Sequence, residues 1–114
     1  MNSELRLVGP SGPQEGTSSG VVEILHAGRW GIVCSSTFGQ KEASVVCRQL
    51  GFMSGTFTNN ALIPNLNPQT WLTEVNCHSG LETRLDLCQH GPWFGECDDP
   101  FNVAYVTCGM HYSL

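Results

Sequence analysis

Gly28-Arg29-Trp30-Gly31-Ile32-Val33-Cys34 and Ala43-Ser44-Val45-Val46-Cys47-Arg48-Gln49-Leu50-Gly51-Phe52 are the two stretches on which the fold turns. The first is a turn, Ala27-Gly28-Arg29, running into a strand whose Trp30, Ile32 and Val33 suit a pleated, half-buried surface. Val21 to His26 reads as its partner strand, with Val22, Ile24 and His26 on one side and Val21, Glu23 and Leu25 on the other. Two strands around a short turn make a hairpin. The second stretch lies in a helix expected from about Gln40 to Leu50. Ala43, Val46, Cys47 and Leu50 recur with helical spacing as one buried stripe, and Lys41, Glu42, Ser44, Arg48 and Gln49 mostly take the outer faces. Gly51 ends the helix in the usual way, because a residue without Cβ adopts the left-handed conformation at no steric cost.

Working outward, Glu4 to Val8 alternates as a short strand, and Gly9 to Gly20 is a loop rich in Gly, Pro and Ser. Met53 to Thr70 is expected to be a long polar loop that carries Leu62, Ile63 and Leu66. Trp71 to Val75 reads as a strand leading to Cys77. Leu81 to Leu87 reads as a short helix or turn, with Leu81, Leu85 and Cys88 facing in. Gln89 to Glu96 is a loop carrying Trp93 and Phe94, and Val103 to Cys108 is the final strand. Trp30 and Trp71 are expected in the core. Residues 1–4 read as linker, 5–108 as the domain and 109–114 as a C-terminal tail.

The chain has 114 residues, enough for one domain and too few for two that would each bury a core. Only 13% of residues are charged, against about 25% in an average protein. The net charge of −5 argues against a dedicated nucleic-acid binder, which needs a basic face. No apolar run is long enough to span a membrane, and Met1-Asn2-Ser3-Glu4 has neither the basic start nor the apolar stretch of a signal peptide. The six cysteines are Cys34, Cys47, Cys77, Cys88, Cys97 and Cys108. Zinc sites place cysteines two to four residues apart, whereas the nearest two here are nine apart. Wide spacing and an even count fit a disulfide framework formed in an oxidising compartment, and spacing alone leaves open all fifteen pairings that six cysteines allow.

The two opening stretches resemble the signature of scavenger receptor cysteine-rich domains. Trp71-Leu72 before Val75-Asn76-Cys77, Gly80-Leu81-Glu82 with Leu85 and Cys88, and Leu5-Arg6-Leu7-Val8 resemble further family blocks in the family's order. The resemblance covers residues 5–108, with cysteine gaps of 13, 30, 11, 9 and 11. Phe52 stands where eight-cysteine members carry another cysteine, so the likeness is to the six-cysteine, group A type. It implies an α+β fold: a small disulfide-stapled domain with a curved antiparallel sheet cradling one main helix, plus a short second helix and long loops. It also implies the pairings Cys34–Cys97, Cys47–Cys108 and Cys77–Cys88.

Chemistry is sparse. With all six cysteines bridged, no thiolate remains as a nucleophile, and no serine sits in a nucleophile-elbow context. His26, His78, His90 and His111 lack the helical pairing of a zinc site and are expected to be exposed or locally hydrogen-bonded. No catalytic residue and no cofactor is expected. The resemblance implies a candidate cation site, because many members of the family bind Ca²⁺ or Mg²⁺ at a carboxylate cluster, and hard cations want charged oxygen ligands. The matching positions are Ser35, Ser36 and Asn102, which carry no carboxylate, so that site is not expected here. Glu96, Asp98 and Asp99 form the one local acidic cluster, either a displaced weak cation site or a solvated acidic loop. Glu74 is the other carboxylate at a matching position. Five basic residues, Arg6, Arg29, Lys41, Arg48 and Arg84, are few for a polyanion binder at net −5.

What remains is shape and apolar surface. Trp93, Phe94, Leu62 and Ile63 are the candidate ligand-binding residues, because aromatic anchors dominate binding hot spots. The alternative for Trp93 is that it folds back over the core beside Cys88 and Cys97. The resulting expectation is a non-catalytic extracellular recognition module of a larger secreted or membrane-bound protein, binding a protein or microbial-surface ligand as scavenger receptors of innate immunity do. No nucleic acid and no membrane contact by the domain itself are expected. Two alternatives are an accessory docking domain beside a secreted protease or oxidase, and a structural or adhesive module with no ligand of its own.

Overall fold

The computed structural model describes residues 4–9, 12–13, 18–58, 69–97 and 103–111. In chain order the elements are β1 (Leu5–Gly9), β2 (Gly12–Pro13), β3 (Ser19–His26), β4 (Arg29–Val33), α1 (Gln40–Gln49), β5 (Phe52–Thr58), β6 (Thr70–Leu72), a single 3₁₀ turn (Leu85–Leu87) and β7 (Tyr105–His111). This is the α+β arrangement of one sheet and one main helix. The sheet is antiparallel except at one edge, where β6 runs parallel to β4.

β3 is the axis of the sheet. One of its edges pairs with β1 from Val21 to Ile24. Its other edge is shared: Ser19–Val21 pairs with β7, and Glu23–His26 pairs with β4. Where those two partners part, Ala104 bridges the gap. Its N–H donates to the Val33 carbonyl at 2.8 Å, and its carbonyl accepts from Val22 at 2.9 Å. α1 packs mainly on β5 and also touches β7. Leu5, Leu7, Val22, Ile24 and Val33 of the sheet meet Ala43, Val46 and Cys47 of the helix in one core with Phe38, Trp71, Leu72, Val75 and Leu85. α1 comes close to β5 at Gly55, where an added Cβ would lie 2.3 Å from the Cys47 Sγ.

Several expectations need correction. The segment expected as the start of a long loop, from Met53, is strand β5, paired residue by residue with β7 from Phe52↔His111 to Thr58↔Tyr105. Its inward position Gly55 carries no apolar side chain because the helix occupies that space, so the alternation that marks a strand is missing. β7 accordingly continues past Cys108 to His111, where a tail was expected. Two residues of the expected Gly9 to Gly20 loop, Gly12 and Pro13, pair with β1. β6 stops at Leu72 rather than Val75, and Glu74 beyond it has φ of 54°. Leu81 is 75% exposed instead of facing in, and of the Leu85–Leu87 turn only Leu85 is buried.

Trp30 is half-buried on the outer face of the sheet rather than in the core. There the Arg6 guanidinium lies 4.1 Å from its ring centroid and donates from Nε and Nη2 to Glu23 Oε1 at 2.9 and 2.7 Å. Glu42, expected outside, is 5% exposed. One carboxylate oxygen accepts from the Gly39 N–H at 2.7 Å, and the other accepts from the Cys77 N–H at 2.7 Å. A carboxylate at the first turn satisfies orphan donors and complements the helix dipole. Here it also ties the start of α1 to the segment that carries Cys77.

Candidate functional site

The aromatic residues gather at the β4–β6 edge. The Ile32 N–H donates to the Gln69 carbonyl at 2.8 Å and the Cys34 N–H to the Leu72 carbonyl at 2.9 Å, which lays β6 alongside β4. Trp71 then presses onto Gly31: an added Cβ there would stand 2.2 Å from the indole Cδ1. The Trp71 ring is 1% exposed, and its one polar atom, Nε1, donates to the Arg29 carbonyl at 3.0 Å. A buried indole needs such a partner.

Around Trp71 the other rings form a stepped cluster. His26 meets it edge-on at 5.2 Å between centroids. Trp93 stacks flat on His26 at 3.7 Å with an interplanar angle of 2°, and His90 approaches Trp93 at 5.5 Å. Trp93 is thereby half-buried and packed against the core. Phe94 takes the opposite course. Its φ of 69° lies in the left-handed region, which is unusual for a bulky residue. That backbone turn swings the ring outward to 65% exposure, leaving it in edge contact with Trp71 at 4.5 Å.

The loop that carries Trp93 and Phe94 is tethered at both ends. Asn76 and Gln89 exchange two backbone hydrogen bonds, of 2.7 and 3.1 Å, next to the Cys77–Cys88 bridge. The Gly91 N–H donates to the Thr73 carbonyl at 2.8 Å, and Cys97 is bridged to Cys34. Beside Phe94 lies an open depression of about 370 Å³, lined by Gln69, Thr70, Phe94, Gly95, Glu96 and Cys97.

The remaining candidates fall as follows. The cysteines join as Cys34–Cys97, Cys47–Cys108 and Cys77–Cys88, and none is free. Ser35 is half-buried and Ser36 exposed, while Asn102, Asp98, Asp99, Leu62, Ile63 and Leu66 lie outside the described residues. Glu74 and Glu96 are exposed. Cys77, Cys88 and Glu82 present sulfur and oxygen within 4.8 Å of one another, but both sulfurs belong to one bridge and offer no thiolate to a metal. The Glu82 carboxyl is held below the usual carboxylate range. The main cause is a hydrogen bond from its own backbone N–H, with further bonds from the Ser79 hydroxyl and backbone outweighing burial, which opposes them.

His78 Nε2 donates to Gln89 Oε1 at 2.8 Å, and His90 Nδ1 donates to the Gly91 carbonyl at 2.6 Å. Of the basic residues, Lys41 Nζ donates to the His78 carbonyl at 3.0 Å, Arg48 donates to the Gly80 carbonyl, and Arg84 pairs with Asp86 at 3.0 Å. Sequence reading missed the roles of His26 and Glu42. The Gly39-x-x-Glu42 pattern carries the signal for the second, because a Glu at this helix position reaches back to the N-cap N–H. No local pattern marks the stacking of His26 on Trp93.

The profile of the scavenger receptor cysteine-rich domain matches residues 12–109. The chain belongs to this family. Bovine lysyl oxidase homolog 4 is 45% identical to it over 106 residues, which is 90% of this chain and 13% of that protein. Human CD5 antigen-like is 39% identical over 110 residues, 93% of this chain and 30% of that protein. This chain therefore spans a minor part of these relatives' length. Among solved structures, the third such domain of murine neurotrypsin superposes with a TM-score of 0.74 at 28% identity, covering 94% of this chain and 96% of that one. The domain of mouse MARCO, in a dimeric form, gives 0.73 at 28% identity over 84% of this chain and 91% of that one. A scavenger receptor cysteine-rich domain is a non-catalytic recognition module. With its three bridges closed, this one is extracellular.

Proposed function

We propose that this domain binds a protein or microbial-surface ligand through the surface built on Trp93 and Phe94. The observation that carries the reading is Phe94: a large ring 65% exposed, on a backbone with φ of 69°, backed by a fully buried tryptophan. A rigid aromatic backed by packed side chains loses little conformational entropy on binding, which is the character of a hot spot. Leu62 and Ile63 belong to the same proposal from sequence alone. The binding requires no Ca²⁺ or Mg²⁺, because Ser35, Ser36 and Asn102 put no carboxylate at the matching positions.

The test is binding of the oxidised domain to a panel of fixed microbial cells and extracellular proteins, with and without EDTA. Phe94→Ala is expected to weaken capture about tenfold or more. Its melting temperature should stay close to that of the parent, and EDTA should change nothing. A variant that unfolds would make Phe94 a core residue and end the proposal, and a saturable micromolar Ca²⁺ site would overturn the cation-free reading. A second reading, a docking surface beside a secreted catalytic domain, draws on the 45% identity to a lysyl oxidase homolog. It predicts that Phe94→Ala leaves the panel untouched and weakens only contact with a neighbouring domain. A purely structural module would show neither effect.

A further inference from the structure

We propose that the depression beside Phe94 receives a basic side chain, an arginine or a lysine, presented by a protein partner. This deepens the reading above and rests on it for the identity of the surface, though not for the chemistry of the depression. The lining is mainly polar and comes from Gln69, Thr70, Phe94, Gly95, Glu96 and Cys97, and the Gln69 side chain donates to the Thr70 carbonyl at 2.9 Å. Cys97, also in the lining, is bridged to Cys34 at the end of β4. At about 370 Å³ the space exceeds what a guanidinium or ammonium group needs and leaves room for its methylene stem.

The electrostatics choose among ligands. Among the described residues no cation pairs with Glu96. The domain's own cations are occupied or remote in purpose: Arg6 serves Glu23 and Trp30, Arg84 serves Asp86, and Lys41 and Arg48 donate to backbone carbonyls. Arg29, exposed at the β3–β4 turn, forms no ion pair with Glu96 among these residues. The net charge of −5 draws a basic partner at long range, and in the sequence two further acids, Asp98 and Asp99, follow Glu96. A cation supplies the partner that the Glu96 carboxylate lacks among the described residues. A neutral sugar would leave the carboxylate charge without a partner.

The test titrates the ¹⁵N-labelled, fully oxidised domain with N-acetyl-arginine methylamide, and in parallel with its citrulline counterpart and methyl glucoside. The expected result is saturable shifts confined to Thr70, Gly95, Glu96 and their neighbours, given by the arginine compound alone. Glu96→Gln should weaken that binding about fivefold or more, and Phe94→Ala should weaken it less. Equal shifts with citrulline, indifference to Glu96→Gln, or shifts elsewhere on the surface would overturn the proposal, and binding of methyl glucoside in its place would reassign the depression to a sugar. The two proposals separate cleanly. Ligand capture lost in Phe94→Ala with no arginine response refutes the basic side chain alone. An arginine response with capture unaffected by Phe94→Ala refutes the recognition surface alone.

Discussion

The helix side and the aromatic side of this domain are held by bridges of nearly equal span and put to different uses. At the helix side, Cys47 and Cys108 are buried where α1 comes down on β5 and β7, and Gly55 lets the two surfaces touch. At the aromatic side, Cys34 is buried and Cys97 only partly so, and the bridge holds a loop whose Phe94 stands in solvent. The separations are 61 and 63 residues, so the restriction each imposes on the unfolded chain is almost the same. What differs is the native surroundings: one bridge completes a packed interior, and the other positions a surface.

That comparison can be broken. Removing either long bridge by paired Cys→Ala substitution should cost about 4 kcal/mol in the chain-entropy picture. The Cys47/Cys108 pair should cost more than the Cys34/Cys97 pair, because a buried sulfur also leaves a cavity. Urea unfolding of the two double variants measures this, and equal losses would mean that the packing difference carries no energy. A smaller effect is expected from Gly31→Ala. Its Cβ would overlap the Trp71 ring, so the ring must shift at a cost of about 1–3 kcal/mol. Tryptophan emission should change while the helical circular dichroism stays as it is. A loss of helix signal would show that the two sides are not separable.

The smallest effect concerns acid. The Glu82 carboxyl titrates lower in the folded domain than its ordinary value of 4.5, so the unfolded chain binds more protons in the window just below that value. Its contribution is present above that pH and is lost as pH falls through the lowered folded value. Glu82→Gln should therefore flatten the acid limb of a melting-temperature profile slightly, an effect kept small by solvent screening. A steeper acid limb in the variant would contradict the direction.

The hairpin and the main helix were legible because their apolar residues repeat with the period of the element that buries them. Val22 and Ile24 alternate, and Ala43, Val46 and Cys47 follow the helical stripe. β5 was not legible, since Gly55 answers to a helix far from it in sequence and gives no apolar signal of its own. Leu81 misled for the opposite reason: an apolar residue between turns reads as core, yet here it is exposed. The pairing of the cysteines came from the family resemblance and could not come from spacing. At the aromatic side, Trp93 and Phe94 stood out by type, but nothing local to either announces that one stacks on His26 while the other turns outward.

The order of the cysteines along the chain has a consequence for how the domain matures. In an unfolded chain the likelihood that two thiols meet falls with the length of the loop between them. Cys88 and Cys97 are 9 residues apart, Cys97 and Cys108 are 11 apart, and Cys34 and Cys47 are 13 apart, all far closer than the two long native pairs. Random oxidation would therefore favour wrong partners. Only the 11-residue Cys77–Cys88 bridge is native and also short. The long bridges interleave, Cys34 before Cys47 and Cys97 before Cys108: one joins the end of β4 to the aromatic loop, and the other joins α1 to β7. Loop closure in the unfolded chain therefore opposes both long bridges, and it is the folded positions of β4, α1, β7 and the aromatic loop that hold their sulfurs together.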